Sequence, residues 1–222
     1  MDAVILAGGR NQRLGGVVPP YMKPLIVVNQ RPLVAQAVEV AQQVIKNGGE
    51  GGSVIVVTSP ESTLPISHVI DVAAVDMLVK TGGPGAALRS ALDLVTMDYV
   101  LVLMADNLTP TEDVNKIVTK MGNVVGTGLV PLEDCERFTR LRGLTWVEKV
   151  PVTKEDEVFP GLARCWLGPL KLDARLAAKG LDVLAGERDT DDLPISPIFN
   201  MFDGFTTVDV HSVDIGLPEV LP

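Results

Sequence analysis

The sequence predicts an α/β protein: a mostly parallel sheet flanked by helices, with its later strands forming a small lobe. Two observations carry this. First, short runs rich in Val, Ile and Leu recur without alternation at Val4–Leu6, Val54–Val57 and Val100–Met104, as expected of strands covered on both faces. Second, helical patterns lie between these runs. Pro32 to Lys46 opens on a proline, repeats apolar residues at helical spacing and stops before Gly48-Gly49. Pro84 to Val95 is similar, and Thr111 to Met121 has acidic residues in its first turn and lysines toward its end. Strand and helix alternating in this way build a sheet wrapped by helices.

The second half is less regular. Asn123–Val130, Leu144–Val150, Leu162–Trp166 and Thr206–Val210 are predicted strands, and Leu172 to Leu184 a predicted helix. The charged run Lys154-Glu155-Asp156-Glu157 is expected to be a solvated loop. With 222 residues and no linker or repeat, one domain over 1–222 is expected.

Composition excludes several classes. Hydrophobic residues at 46% rule out a disordered chain. A net charge of −9 argues against nucleic acid or an anionic membrane as partner. The start Met1-Asp2-Ala3-Val4 has no basic leader pattern, and the apolar stretch over 69–79 is interrupted by Asp71 and Asp76. Two cysteines, Cys135 and Cys165, are too few and too widely spaced for a disulfide framework. A cytoplasmic location is therefore expected, as a monomer or a homo-oligomer.

The most informative run is Leu6-Ala7-Gly8-Gly9-Arg10-Asn11-Gln12-Arg13-Leu14, followed by Lys23-Pro24-Leu25. A strand running directly into a Gly-Gly turn exposes several N–H groups, and a side chain at Gly8 or Gly9 would block a ligand's approach. Arg13 and Lys23 add two cations, so a phosphate site is expected here. The spacing fits neither G-x-G-x-x-G nor G-x-x-x-x-G-K-[ST]. Val57-Thr58-Ser59-Pro60 also lacks the acidic residue of a dinucleotide site. Asp106, just past Leu101–Met104, lies where open sheets bind ligands, and a second carboxylate, Asp214, follows the last short strand. Asp is a natural oxygen ligand for a hard cation beside phosphates. His68 and His211 are expected to be structural, Cys135 and Cys165 passive thiols, and Trp146 and Trp166 core residues.

In this order the motifs resemble the sugar-1-phosphate nucleotidylyltransferases, whose signature runs L-A-G-G-x-G-T-R-L-x-P-x-T, three residues, then P-K-P-L. Leu6-Ala7-Gly8-Gly9, Arg13-Leu14 and Lys23-Pro24-Leu25 match it without a gap. Thr81-Gly82-Gly83-Pro84-Gly85-Ala86-Ala87-Leu88 is similar to the base-contacting loop, and Ala105-Asp106-Asn107 to the G-D-N metal motif. Trp146-Val147-Glu148-Lys149 is similar to the E-K motif, and Asp214-Ile215-Gly216-Leu217-Pro218-Glu219 to D-I-G-T-P-E. The resemblance implies a Rossmann-like, GT-A-like nucleotidyltransferase fold, with residues to about 120 as the nucleotide-binding core and about 121–222 as the small sugar-phosphate-binding lobe that carries the second metal ligand. It implies transfer of a nucleotidyl group from an NTP, UTP or dTTP being favoured, to a sugar 1-phosphate, with Mg²⁺. It further implies that Arg13 and Lys23 are catalytic, and that Leu6, Ala7, Gly8, Gly9, Gln12 and Gly85 contact the nucleotide. Glu148 and Lys149 would bind the sugar phosphate, and Asp106 and Asp214 the metal.

Asn11 and Gln12 stand where the family has glycine and threonine, and Gly16 and Met22 where it has prolines. Asn tolerates a left-handed backbone, so the turn is expected to survive, and every charged group of the pattern is kept. Two alternatives stay open: another phosphorylated acceptor on the same fold, of the phosphocholine or molybdopterin type, and a catalytically silent, nucleotide- or sugar-sensing homologue.

Overall fold

Every residue of the first strand, β1 (Asp2–Leu6), is buried, which places it at the centre of the sheet. The computed structural model describes residues 1–9, 18–49, 51–76, 82–187, 193–202 and 205–215. After β1 come β2 (Val27–Val28), β3 (Arg31–Pro32), α1 (Leu33–Asn47), β4 (Val54–Thr58), α2 (Pro60–Ser67) and β5 (Ala73–Asp76). Next are α3 (Pro84–Leu92), β6 (Tyr99–Met104), β7 (Asn107–Leu108), α4 (Thr111–Val118) and β8 (Val124–Pro131). The second half adds β9 (Arg140–Arg142), β10 (Thr145–Val147), β11 (Glu157–Phe159), β12 (Leu162–Asp173) and α5 (Ala174–Glu187). The described chain closes with α6 (Ile198–Met201), β13 (Thr206–Asp209) and β14 (Val213–Asp214).

The strands β5, β4, β1 and β6 pair in parallel, with Val4 opposite both Ile55 and Val102. Beyond β6 the sheet becomes mixed: β12 runs antiparallel to both β6 and β8, and β13 is parallel to β8. Helices α1 and α4 cover one face through Val34, Val38, Ala41, Val44 and Val114 against Ile5, Val56, Leu101 and Leu103. Helices α3 and α5 cover the other through Leu88, Ala91, Ala177 and Leu181 against Val4, Val57 and Val102. The result is a three-layer sandwich whose candidate site lies at the carboxyl edge of the parallel strands.

The structure corrects the sequence reading in three places. Leu162–Trp166 is not a short strand followed by a helix from Leu172, since β12 continues to Asp173 and α5 begins at Ala174. Gly168-Pro169 has the look of a break, but Gly168 (φ +112°) bends the strand and pairing with β8 resumes at Leu170. Helix α2 and strand β5 carried no sequence expectation. Pro65 inside a helix of eight residues hides its pattern, though Pro60 starts the first turn and Ile66 is buried.

The third correction concerns the charged run at 154–157. It forms a 3₁₀ turn closed by a capping box between Thr153 and Asp156, and Asp156 is wholly buried. Arg142 Nε and Nη2 each donate to its carboxylate at 2.9 Å, and Arg140 Nε stands 3.1 Å away. Burial pushes the Asp156 carboxyl upward, but the bonds from Arg142, the Thr153 amide and Arg140 outweigh it and hold the pKa at about 2.

Candidate active site

At the end of β1 the chain is pinned from both sides. Ala7 N–H donates to Val57 O (2.7 Å), and Ala105 N–H donates to Leu6 O (3.0 Å). The Gly-Gly turn therefore leaves the sheet edge from a rigid base. Gly8 lies against the backbone of Thr58 and Ser59, where an added Cβ would meet atoms at 3.4 Å, whereas at Gly9 nothing stands within 4 Å. Of the two glycines, Gly9 is the one that fronts open space. The predicted residues Gln12 and Arg13, with Arg10 and Asn11, lie outside the described residues.

Lys23 opens a 3₁₀ turn, Lys23–Leu25, whose Pro24 is buried and sets the backbone. Its side chain is only 12% exposed, and its Nζ stands 2.5 Å from Asp106 Oδ2 and 3.6 Å from Asp214 Oδ1. The two carboxylates are themselves 29% and 22% exposed, so water and small ions can reach them. Asp106 sits in the tight turn between β6 and β7. The pairing of β7 with β14 sets Asn107 opposite Asp214 and Leu108 opposite Val213, and Ile215 N–H donates to Asp106 O at 3.0 Å. Asn107 secures the ladder from behind by donating through Nδ2 to Leu167 O (2.9 Å). The space beside it exists because Gly168 has no side chain: a Cβ there would lie 2.4 Å from Asn107 Nδ2.

Chain ends that are remote in sequence thus deliver three charged groups to one point. Asp113, absent from the sequence expectations, anchors the segment that leads into β14. This buried residue of α4 accepts from His211 N–H (2.6 Å), from the His211 ring (3.0 Å) and from Lys116 (2.5 Å). Burial opposes its ionised form, yet the Lys116 and His211 bonds hold its pKa below the ordinary value. The one signal for Asp113 in the sequence, an acidic residue in a first helical turn, points to the helix dipole and not to this role.

Gly85, near the start of α3, is buried and donates its N–H to Leu193 O (2.8 Å), while Leu193 N–H donates to Gly82 O (2.9 Å). A Cβ on Gly85 would stand 2.7 Å from both Leu193 O and Pro194 O, so glycine is obligatory there. Glu148 and Lys149 follow β10. Lys149 adopts a left-handed backbone (φ +55°), a conformation that costs a non-glycine residue about 1–2 kcal/mol. Its side chain is 63% exposed, with Nζ 3.7 Å from Glu148 Oε1. Glu148 Oε2 accepts the hydroxyl hydrogen of Ser196. Asn200 clamps the strand just before this turn, accepting from Trp146 N–H (2.8 Å) and donating to Trp146 O (2.7 Å). Neither Ser196 nor Asn200 lies in a recognisable motif.

The remaining expectations resolve simply. Trp146 is buried and Trp166 partly so, each meeting Phe199 edge-on at 5.4 Å, as core residues do. Cys135 and Cys165 are buried, and burial pushes the Cys165 thiol up to about 12, far from reactive. Among the described residues no group of three or more His, Cys, Asp or Glu side chains forms a ready-made metal cluster. No described helix is long and apolar enough to cross a membrane.

Paired carboxylates and a lysine here stand at the carboxyl edge of the parallel strands, where open α/β sheets bind their ligands. The chain belongs to the MobA-like NTP transferase domain family, whose model matches residues 3–178, and it is a nucleotidyltransferase. This agrees with the nucleotidyltransferase resemblance that the five motifs carry. No curated protein sequence matches the chain. Among solved structures it is similar to a UDP-glucose pyrophosphorylase complexed with UDP-glucose, with TM-score 0.72, 16% identity, 99% of this chain and 95% of that chain covered. It is also similar to a Bacillus anthracis protein described as a glucose-1-phosphate thymidylyltransferase, in complex with a sucrose (TM-score 0.70, 23% identity, 100% and 92% covered). A third similar structure is HddC from Yersinia pseudotuberculosis complexed with GMP-PN (TM-score 0.67, 20% identity, 99% and 96% covered). At these identities the likeness establishes the fold, a GT-A-like nucleotidyltransferase architecture.

Proposed function

We propose that this protein transfers a nucleotidyl group from an NTP to a sugar 1-phosphate, releasing pyrophosphate and forming an NDP-sugar. The observation that carries the reading is the meeting of Lys23, Asp106 and Asp214 at the sheet edge. In the reaction an oxygen of the sugar phosphate attacks the α-phosphorus in line, and the bond from that phosphorus to the bridging oxygen breaks as pyrophosphate departs. Such chemistry needs positioning and charge neutralisation more than covalent help.

The donor set suits Mg²⁺: two partly exposed carboxylates supply hard oxygen ligands, and phosphate oxygens would complete the shell. Asp106 and Asp214 are the residues that would hold the ion, which when bound supplies neutralisation of charge on the phosphates. Lys23, already poised between these carboxylates, places its ammonium beside the α-phosphate. Arg13 holds the leaving phosphates, with Gln12 and the turn Leu6-Ala7-Gly8-Gly9 around the rest of the triphosphate. Backbone groups at Leu6 and Gly85 read the base edge, the Gly85 amide itself being held by Leu193. Glu148 accepts hydrogen bonds from sugar hydroxyls, and the exposed Lys149 reaches the sugar phosphate. In this reading residues to about 120 serve the nucleotide and the later part serves the acceptor. The setting is the cytoplasm.

A second acceptor class is favoured by one observation: the matching family is described as MobA-like, a name that the molybdopterin-type alternative shares. The test is pyrophosphate release with Mg²⁺ across five common NTPs and a panel of sugar 1-phosphates, phosphocholine and a molybdopterin acceptor. Release requiring one NTP and one sugar 1-phosphate, UTP or dTTP being the favoured nucleotides, supports the reading. Release with another acceptor alone moves the protein to the second class, and NTP binding without release from any pair overturns transfer in favour of a sensing role.

A further inference from the structure

The stretch Leu193–Asn200 touches both halves of the site. At its start Leu193 exchanges two backbone hydrogen bonds with the Gly82–Gly85 loop. At its end the Asn200 amide closes both sides of Trp146. Between them the Ser196 hydroxyl donates to Glu148. We propose that Ser196 is a positioning residue that orients the Glu148 carboxylate toward the acceptor, an assignment that rests on the acceptor role proposed above for Glu148.

Three features make Ser196 the fixed partner and Glu148 the oriented one. Ser196 is 4% exposed and flanked by Leu193, Ile195, Ile198 and Phe199, all buried in the main core. The segment therefore cannot shift without opening that core. The N-cap position of α6 is taken by Pro197, one residue on, and the Ser196 hydroxyl donates to Glu148. Glu148 is a quarter exposed on a turn whose next residue has positive φ, and a carboxylate there has many rotamers to choose from. With Oε2 engaged by Ser196, Oε1 is the oxygen turned to Lys149 and to incoming hydroxyls. A buried hydroxyl that lost this acceptor would be left unsatisfied, so the contact is maintained from both sides.

The experiment measures steady-state pyrophosphate release for wild type, Ser196→Ala, Ser196→Cys and Ser196→Thr, with KM obtained separately for NTP and acceptor. Ser196→Ala and the volume-conserving Ser196→Cys are expected to raise the acceptor KM about tenfold, as loss of one hydrogen bond to a charged group does. The NTP KM is expected to stay within about twofold, and Ser196→Thr, which keeps the hydroxyl, to recover most of the loss. In a Glu148→Ala background Ser196→Ala is expected to add less than about twofold, because the two residues act as one. Unchanged acceptor KM in both Ser196→Ala and Ser196→Cys, or full additivity with Glu148→Ala, overturns the assignment while leaving the acceptor reading intact. A wild type inert toward every phosphorylated acceptor overturns that reading itself, and the role of Ser196 with it.

Discussion

Two clusters in this molecule are built from the same ingredients and behave in opposite ways. At 140–156 two arginines enclose Asp156, and both Arg140 and Asp156 are fully buried. At the sheet edge two aspartates converge on Lys23, and both remain partly open to solvent. In the first, the carboxylate accepts from the Arg142 guanidinium and the Thr153 amide, Arg140 Nε pairs with it as an ion at 3.1 Å, and Arg140 Nη2 donates to Val150 O (2.8 Å) and Pro151 O (2.9 Å). That arrangement ties β9 to the turn before β11 and leaves no room for a ligand. In the second, carboxylates gather around a mobile type of cation, a long flexible ammonium, with water at hand. Burial and paired charge make a strut; partial exposure and converging acceptors make a candidate site.

That contrast can be broken by mutation, and Asp106→Asn should give the largest effect. It is expected to remove turnover, on the order of 10⁴-fold, while thermal melting stays as in wild type, because the residue is partly exposed and supports no core. Retention of most activity would take Asp106 out of the mechanism. Asp156→Ala should do the reverse. Leaving Arg140 buried beside no carboxylate is expected to cost about 3–5 kcal/mol of stability in denaturant titration, with specific activity of the folded fraction kept. A variant that unfolds at the wild-type midpoint would show that the buried cluster is not a strut.

Lys23→Ala is expected to reduce kcat/KM by about 2–4 kcal/mol of transition-state stabilisation, the worth of one strong electrostatic donor. A change confined to the NTP KM would demote Lys23 from catalysis to binding. The smallest effect is on pH. Because the folded Asp156 carboxyl lies below its ordinary value of 3.8, at about 2, its contribution is fully present above 3.8 and lost as pH falls through 2. That shift corresponds to about 2 kcal/mol. Urea midpoints of wild type and Asp156→Asn at pH 6 and pH 2 should therefore differ less at the lower pH, and a constant gap would contradict the argument.

How much of this was legible in the chain depends on the range over which each feature is encoded. The strand into Gly8-Gly9, the aspartate after Leu101–Met104 and helix α1 are local patterns, and they were read with errors of a residue or two at the ends. Asp156 was misread because its neighbours in sequence are charged, whereas its partners are Arg140 and Arg142 on another strand. The length of β12 was hidden because Gly168-Pro169 is normally a terminator, and only pairing with β8 and β6 carries the strand past it. Ser196 and Asn200 bear no local mark, since each matters through its bonding to a single residue some fifty positions away, Glu148 and Trp146 respectively.

The sequence by itself determined the class of fold and the nucleotidyltransferase kinship, and it singled out the charged residues of the candidate site. Those properties reside in periodicity, turn chemistry and short ordered motifs, which need no knowledge of the rest of the chain. Only the tertiary structure decided that Lys23, Asp106 and Asp214 meet, that Gly85 is closed over by Leu193, and that Asp156 belongs to the interior. Each of those is a pairing of distant segments. Such pairings are settled when the sheet, its β7–β14 ladder and the two helical layers exclude every other arrangement of the same residues.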